Sequence, residues 1–207
     1  MVKSIISFFA FTFLLLTNAF ANEPQNEITR LSYKSTINDD VDGEAFVDIR
    51  YYDLYINNEQ TVWIKIPEKC EESIHLVLVG ETLYSKIDAT NGSILCQQEV
   101  NHQRYNVEKT YKPFEWVITD ETKVIAGWNC IKAERKDKPQ IYAWFTTDVP
   151  ITYGPNDCFG LPGMVVLYHR FTSVYTLEEI TTAKKFPELP KGGKKISEEE
   201  LTRKMYR

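Results

Sequence analysis

The sequence lacks the local motifs that most enzyme families carry. It has no glycine-rich phosphate loop, no nucleophile elbow and no metalloprotease helix. Its three histidines, His75, His102 and His169, are far apart in the chain, so packing or surface roles are favoured over metal ligation. The sequence therefore predicts no metal and no cofactor. Only an active site assembled from distant residues stays open.

An excess of basic residues is also absent. The chain has 24 Lys and Arg against 29 Asp and Glu, with a net charge of −5. Such a mildly acidic chain has no electrostatic attraction to nucleic acid or to anionic lipid. The acidic run Asp39, Asp40 and Asp42 before Gly43 lacks the twelfth-position glutamate of an EF-hand and is interpreted as a solvated turn.

Long apolar runs are missing except at the N-terminus. Residues 5–17 are almost entirely apolar, Lys3 precedes them, and Ala19-Phe20-Ala21 fits a small-x-small cleavage site. This pattern is typical of a secretory signal peptide over residues 1–21, because the apolar stretch is too short for a membrane span. We therefore expect export to the periplasm or cell envelope, with no membrane span after cleavage.

Only four cysteines are present, and all follow the predicted signal peptide. An even number of cysteines in an oxidising compartment favours disulfides, for which three connectivities are open. The pairing that joins neighbours in sequence is preferred. A metal site is the alternative, but no two cysteines have the two-residue spacing of a zinc knuckle. The preferred pairs are Cys70–Cys96 and Cys130–Cys158.

Sustained helical periodicity is absent before the C-terminal tail, and short strand-like segments separated by turn signals fill the chain. Asn91-Gly92 is the strongest hairpin signal. Residues 61–66 alternate apolar and polar before Pro67 ends them, and Asn57-Asn58 marks another turn. Residues 38–43 are interpreted as a polar turn after a strand at 28–36. The sequence predicts one mostly β domain over residues 22–187, a curved antiparallel meander that is open or a half-barrel.

The tail, residues 188–207, has a different composition. A Pro-, Gly- and Lys-rich stretch is interpreted as a flexible linker, and Ser197 with Glu200 forms a capping box that begins a short helix. A helix of this length is marginal by itself. It is either frayed or docked through Leu201 and Met205, and the frayed state is favoured.

A glycine- and proline-rich turn precedes the most apolar segment of the chain. Pro162 and Gly163 suit the central positions of a type II turn, which would give Gly163 a positive φ. The residues from Met164 to Tyr168 are too few for a helix and β-branched in the middle, so we expect a strand buried on both faces. The structural motif consists of Gly154, Pro155, Gly160, Leu161, Pro162 and Gly163.

Several segments, in order, resemble the GLPGLI family of exported Bacteroidetes proteins. They are Gly127-Trp128-Asn129-Cys130-Ile131-Lys132-Ala133, Ala143-Trp144-Phe145-Thr146, Val149-Pro150, Gly154-Pro155 and Gly160-Leu161-Pro162-Gly163. The resemblance covers about a third of the chain, and Met164-Val165 departs from the Leu-Ile of the family name. It implies origin and compartment and transfers no catalytic residue.

Aromatic residues are abundant, and they supply the candidate binding residues Trp116, Trp144 and Phe145, with Asp148 close by. Core packing is the simpler interpretation of these rings, and a turn cap is the simpler role for Asp148. The favoured function is a non-catalytic envelope protein that binds an apolar or small ligand on a concave sheet. The alternative is a module that binds an envelope protein through a sheet edge or the C-terminal helix. An enzyme with a dispersed site is the third reading.

Overall fold

The computed structural model describes residues 27–41, 44–71, 80–88 and 90–206. Nearly all regular structure in these ranges is β, as the alternating sequence pattern predicts. The predicted signal peptide, His75 and the Asp42-Gly43 turn lie outside the described residues. The strands are β1 (Ile28–Val41), β2 (Glu44–Ile56), β3 (Gln60–Lys65), β4 (Glu81–Asp88), β5 (Ser93–Val100), β6 (Gln103–Thr110), β7 (Trp116–Ile125), β8 (Trp128–Arg135), β9 (Lys138–Thr146), β10 (Met164–Arg170), β11 (Ser173–Ala183) and β12 (Lys194–Ile196), and the helix α1 is Glu198–Met205.

All twelve strands form one open sheet in the order β12-β6-β5-β4-β3-β2-β1-β11-β10-β9-β8-β7. Two antiparallel meanders make up the sheet, β1 to β6 and β7 to β11. They are joined in the middle by the pairing of β1 with β11, in which Ile28 lies opposite Ala183. The predicted open antiparallel meander with a short C-terminal helix is confirmed.

The connection from β6 to β7 requires the sheet to curve strongly. These strands are ten neighbour steps apart in the sheet, which corresponds to about 48 Å in a flat sheet. Only residues 111–115 join them, and a fully extended link of that length reaches about 22 Å. The two sides of the sheet therefore curl toward each other and enclose a concave face.

Most local signals are found where the sequence places them. Gly92 has φ 68° in the hairpin between β4 and β5, and β3 ends before a short 3-10 helix at Pro67–Lys69. The predicted polar turn at 38–43 is wrong in its bounds, because β1 continues to Val41. Its pairing with β2 runs as far as Val41 opposite Glu44, and this ladder outweighs the polar composition.

Strand β10 confirms the apolar segment as a strand buried on both faces, since Met164, Val165 and Val166 are all at most 1% exposed. The reason for Gly163 differs from the prediction, because its φ is not positive. A Cβ at Gly163 would overlap the carbonyl oxygen of Thr146 and lie 2.8 Å from its carbonyl carbon. Glycine is needed there for a close backbone approach; the positive φ in the motif is at Gly160, 88°.

The tail packs against the sheet, and this corrects the interpretation of a flexible linker with a frayed helix. Phe186 and Leu189 pack on Val62, Ile64 and Tyr84 on the convex face. Strand β12 then adds to β6 in parallel. The Oγ of Ser197 accepts a hydrogen bond from the Glu200 N–H, and Leu201 is buried at 6% exposure against β5 and β6. Tertiary burial supplies the stability that so short a helix lacks.

The structure shows no disulfide, although all four cysteines lie among the described residues, and the two predicted pairs stay a prediction. Cys70 lies beside β2, where the Tyr51 N–H donates to its sulfur at 3.4 Å, whereas Cys96 is on β5. Cys130 donates to the carbonyl of Trp128, while Cys158 is fully buried in the loop before β10.

The largest core fills one end of the concave face. It combines residues of the central strands with the motif loop, residues 147–163, which folds back over the sheet. In the ranges that the structure describes, no helix has the length and hydropathy needed to cross a bilayer. The core is built around Leu31, Tyr33, Leu54, Ile141, Phe145, Leu161, Met164 and Tyr168.

Candidate functional site

A cavity of about 720 Å³ occupies the other end of the concave face. Both meanders contribute to its walls: β2 to β6 on one side, and β10 and β11 on the other. The motif loop, the link 111–115 and α1 complete it. The cavity is therefore enclosed by the curl of the sheet together with the motif loop and α1, which pack inside the curl.

Three aromatic rings form the floor of the cavity. Tyr52 stacks on Trp63 with ring centroids 4.7 Å apart, and the edge of Trp63 meets Tyr175 at 6.0 Å. All three are at least nine-tenths buried. Burial raises the pKa of Tyr175 to about 12 and holds the pKa of Tyr52 well above its ordinary value, so both hydroxyls are neutral at physiological pH.

Arg50 from β2 and Glu81 from β4 line the wall beside this floor, and each is paired with a further charged side chain. The Arg50 guanidinium, 4% exposed, binds the fully buried Asp48 carboxylate at 3.0 Å and also pairs with Glu81. Lys65 contacts Glu81 at 2.8 Å. Strand alternation places Asp48, Arg50 and Tyr52 on the same face of β2, so the ionic wall continues directly into the aromatic floor.

The motif loop supplies the opposite wall through Asn156 and Asp157. The Asp157 carboxylate accepts a hydrogen bond from the Tyr168 hydroxyl at 2.9 Å and from Arg170 Nε at 3.0 Å. The Asn156 amide donates to the Tyr175 hydroxyl at 3.4 Å. Burial raises the pKa of Tyr168 far above its ordinary value, and the neighbouring Asp157 raises it further.

Hydrogen bonds from side chains to backbone carbonyls hold this loop and the strand β10 that follows it. The Trp116 indole donates to the Phe159 carbonyl at 2.7 Å, and the buried Tyr33 hydroxyl donates to the Val165 carbonyl at 2.7 Å. A Cβ on Gly154 would lie 2.7 Å from the Cys158 carbonyl oxygen, so glycine permits the loop to close on itself. The motif is thus a structural element that presents Asp157 to the cavity.

The rim carries exposed aromatic and charged groups. Phe114 and Lys112 come from the link between the meanders, and Phe171 comes from the β10–β11 hairpin. Lys109 and, from α1, Glu198 complete the ionic lining. In total four cationic and three anionic side chains line the cavity, so neither sign of charge dominates.

The sequence-predicted binding residues do not meet at this cavity. Trp116 packs edge-on against Tyr168 at 6.4 Å, and Phe145 is buried in the filled core at 1% exposure. Trp144 precedes Phe145 on β9 and so points to the opposite face, while Asp148 is exposed after the strand. None of the four lines the cavity, and a binding role for them stays a prediction.

Sequence reasoning missed the charged residues that line the cavity. A usable signal was present in β2, where Asp48, Arg50, Tyr52 and Leu54 recur with period two and so share one face. Asp157 and Arg170 have no such signal, because their pairing depends on how the motif loop folds. In the described ranges, His, Cys, Asp and Glu form no group of three able to hold a metal, and His169 stacks on Tyr142 at 4.8 Å.

Comparison with known proteins places the chain within a fold rather than an activity. The model of a family described as "protein of unknown function (Porph_ging)" matches residues 133–167, a short segment from β8 to β10 that includes the motif. This match does not confirm the GLPGLI name. No curated protein matches the sequence.

Two solved structures of PNGF-II, in space groups P21 and C2, share the fold. They superpose with TM-scores of 0.62 and 0.58 at 15% and 16% identity, and the alignments cover 88% of this chain. The chain spans about a third of the length of PNGF-II, since 34% and 33% of those chains are covered. A LolA superfamily protein from Nitrosomonas europaea aligns with a TM-score of 0.30 and 7% identity, too low to support an argument. The shared feature is therefore the fold alone.

Proposed function

We propose that the protein is an exported envelope protein that binds a small polar ligand in the concave cavity. The observation that carries the proposal is the open volume of about 720 Å³ on a face whose other end is densely filled. A cavity of this size is within the range of small-molecule sites. The sequence leaves open an apolar or a small ligand, and the charged lining favours a small ligand with polar groups.

The buried ion pairs support this proposal. A buried pair such as Arg50–Asp48 contributes little net stability, because desolvation offsets its attraction. Apolar side chains of similar volume would hold the sheet equally well. Polar groups beside a cavity can instead orient a ligand that supplies hydrogen-bond partners.

Binding is favoured over catalysis because two of the three carboxylates that line the cavity, Glu81 and Asp157, are engaged. Glu81 is held by Arg50 and Lys65, and Asp157 is held by Arg170 and Tyr168. A general base needs a carboxylate that can accept the substrate's proton. In the described part of the chain, these carboxylates instead neutralise neighbouring cations.

The test is native mass spectrometry of the protein secreted to a bacterial periplasm. We expect a mass lacking residues 1–21, with a small-molecule adduct that denaturation releases. Ser85→Phe, which fills the cavity opposite Trp63, should abolish the adduct. Lys86→Phe, on the opposite face of the same strand, is the matched control and should retain it. An unliganded wild-type protein, or an adduct that survives Ser85→Phe, would contradict the proposal.

A second candidate function, protein binding through a sheet edge, rests on β7. This strand ends the sheet and carries Val117, Ile118 and Val124, which are 49%, 51% and 65% exposed. An open strand with apolar side chains accepts an extended segment of a partner. An envelope protein that co-purifies with the wild type should be lost when Ile118 and Val124 are both changed to Lys, and its retention would exclude this edge. The helix α1 is a poorer candidate, because Leu201 is buried in the core.

A further inference from the structure

Phe171 has an unusual backbone for its residue type. It has φ 54° in the two-residue hairpin between Arg170 and Ser173. In such hairpins a positive φ is normally taken by glycine, asparagine or aspartate. A bulky aromatic residue in this region is strained.

Two other two-residue hairpins in the described ranges, which also contain positive φ angles, show the ordinary solution. Asn101 and His102 have φ 50° and 59° between β5 and β6, and Ala126 and Gly127 have φ 49° and 85° between β7 and β8. These positions carry residue types enriched at positive φ or the smallest side chains. Phe171 is the bulky exception, and it is the one of these residues that lines the cavity.

The surrounding structure imposes this conformation on Phe171. The Asn38 N–H donates to the Thr172 carbonyl at 3.0 Å, which ties the hairpin to β1. The ring is not accommodated in a core, since Phe171 is 48% exposed. Its cationic neighbours are loose, with Arg170 and Lys138 5.3 and 5.8 Å from the ring centroid. The strain therefore holds an exposed ring at the mouth of the cavity.

The lining behind the ring suits hydroxyl groups. A hydroxyl donates to a carboxylate such as Asp157 or Glu81 and accepts from a guanidinium such as Arg170. An ionic ligand would meet both signs of charge at this balanced wall, with one sign always unfavourable. A flat ring with an apolar C–H face and hydroxyl groups at its edge fits an aromatic face at the rim and paired charges inside.

We propose that the ligand is a neutral carbohydrate and that Phe171 is the stacking platform for one of its sugar rings. This inference rests on the proposed binding function of the cavity. The strained Phe171 is then retained for recognition, and its removal should weaken binding without lowering stability. A residue kept only for packing would behave in the opposite way.

The experiment uses a glycan array of neutral and acidic oligosaccharides, followed by calorimetric titration with the neutral glycan that gives the strongest signal. Phe171→Asn removes the ring and suits a positive φ, so affinity should fall roughly tenfold while the melting temperature stays equal or rises. Phe171→Tyr keeps the ring and should keep the affinity. Ala126→Asn, at a positive φ in the β7–β8 hairpin, is the matched control and should leave affinity unchanged.

The outcomes separate this inference from the proposed function. An adduct in native mass spectrometry that is not a sugar, together with a silent array, would overturn the carbohydrate assignment and leave the binding function standing. Binding of acidic glycans alone would also overturn it. Unchanged affinity in Phe171→Asn, or a lower melting temperature, would overturn the platform role. Absence of both adduct and array signal would remove the proposed function as well.

Discussion

The two ends of the concave face are built from the same central strands but have opposite chemistry. At one end, β1 and β2 contribute Leu31, Tyr33 and Leu54, each fully buried in a dense apolar core. At the other end, β2 contributes the buried ion pair of Asp48 and Arg50, and Arg50 lines an open cavity. Burial alone therefore does not distinguish a structural region from a functional one.

The difference lies in what the buried groups do for the fold. Apolar packing stabilises in proportion to the area removed from water. In a buried ion pair, the cost of removing the charges from water roughly cancels their attraction. Removing one partner alone is costly, because the other charge then stays buried without it. The filled end thus holds the sheet together, and the ionic end is compatible with a ligand. The variants below test this division, from the largest expected effect to the smallest.

The largest effect is expected at the filled end, for Gly163→Ala. One added carbon would overlap the Thr146 carbonyl oxygen, and two paired backbones must then separate. We expect a loss of about 4 kcal/mol or more in the free energy of unfolding, measured by urea denaturation. Gly80→Ala is the control, because its new carbon would lie 3.2 Å from the flexible end of Met205. Equal, small effects of the two variants would refute the close-approach argument.

At the ionic end, Arg50→Met should destabilise by about 3–5 kcal/mol, because it removes the guanidinium that binds the buried Asp48 carboxylate. Adding Asp48→Asn should recover a substantial part of this loss, since the buried negative charge is then removed. The measurement compares the free energy of unfolding of Arg50→Met with that of the double variant Arg50→Met, Asp48→Asn. At the apolar end, Leu54→Ala leaves a void for which no partner change compensates. Failure of Asp48→Asn to rescue would show that the ion pair stabilises the fold by itself.

The stability of the protein at alkaline pH should depend on Tyr175 in the cavity floor. The pKa of Tyr175 is raised by burial to about 12 from an ordinary value of 10.0, so the unfolded chain loses this proton first as the pH rises. The contribution of Tyr175 to the free energy of unfolding should therefore be fully present below about pH 10. It should be lost as the pH rises to about 12, which lowers the free energy of unfolding by about 2–3 kcal/mol. Tyr175→Phe should reduce this alkaline loss in denaturation curves at pH 9 and 11.5. An identical pH dependence in the variant would mean that Tyr175 is not buried as described.

The smallest effect is expected at the contact that anchors the motif loop between the two ends. Trp116→Phe removes the donor to the Phe159 carbonyl and should cost about 1–2 kcal/mol. Trp128→Phe removes the same atoms from a half-buried position in the neighbouring strand and serves as the control. If the indole bond anchors the loop, Trp116→Phe should also weaken ligand binding, whereas Trp128→Phe should not.

The parts of the fold that depend on neighbouring residues could be predicted from the sequence. The Asn91-Gly92 hairpin, the end of β3 before Pro67 and the cap at Ser197 are local events, and each is found as expected. The packing of Phe186 on the convex face and the pairing of β12 with β6 depend on distant partners, which a polar, glycine-rich tail does not indicate. Composition also favoured disulfides, but the structure shows none, and the pairing stays a prediction because it depends on how distant segments meet.

The candidate site was less predictable than the fold. Large aromatic residues drew attention to Trp116, Trp144 and Phe145, but most rings in a β protein serve the core. The cavity is marked instead by charges at inward positions of β2, which alternation reveals, and by the backbone of Phe171, which no sequence pattern reveals. Its positive φ accompanies the hydrogen bond from Asn38 of β1 to Thr172, a contact with a distant segment.

The seam between β1 and β11 has a consequence for how the chain acquires its structure. Each meander forms through contacts between neighbours in sequence, whereas the seam joins residues as distant as Ile28 and Ala183. Contacts of such long range slow folding, so we expect the two meanders to form first and the seam to close afterwards. Because the cavity takes walls from both meanders, ligand binding would begin only with this last step, and a bound ligand would mark a chain whose folding is complete.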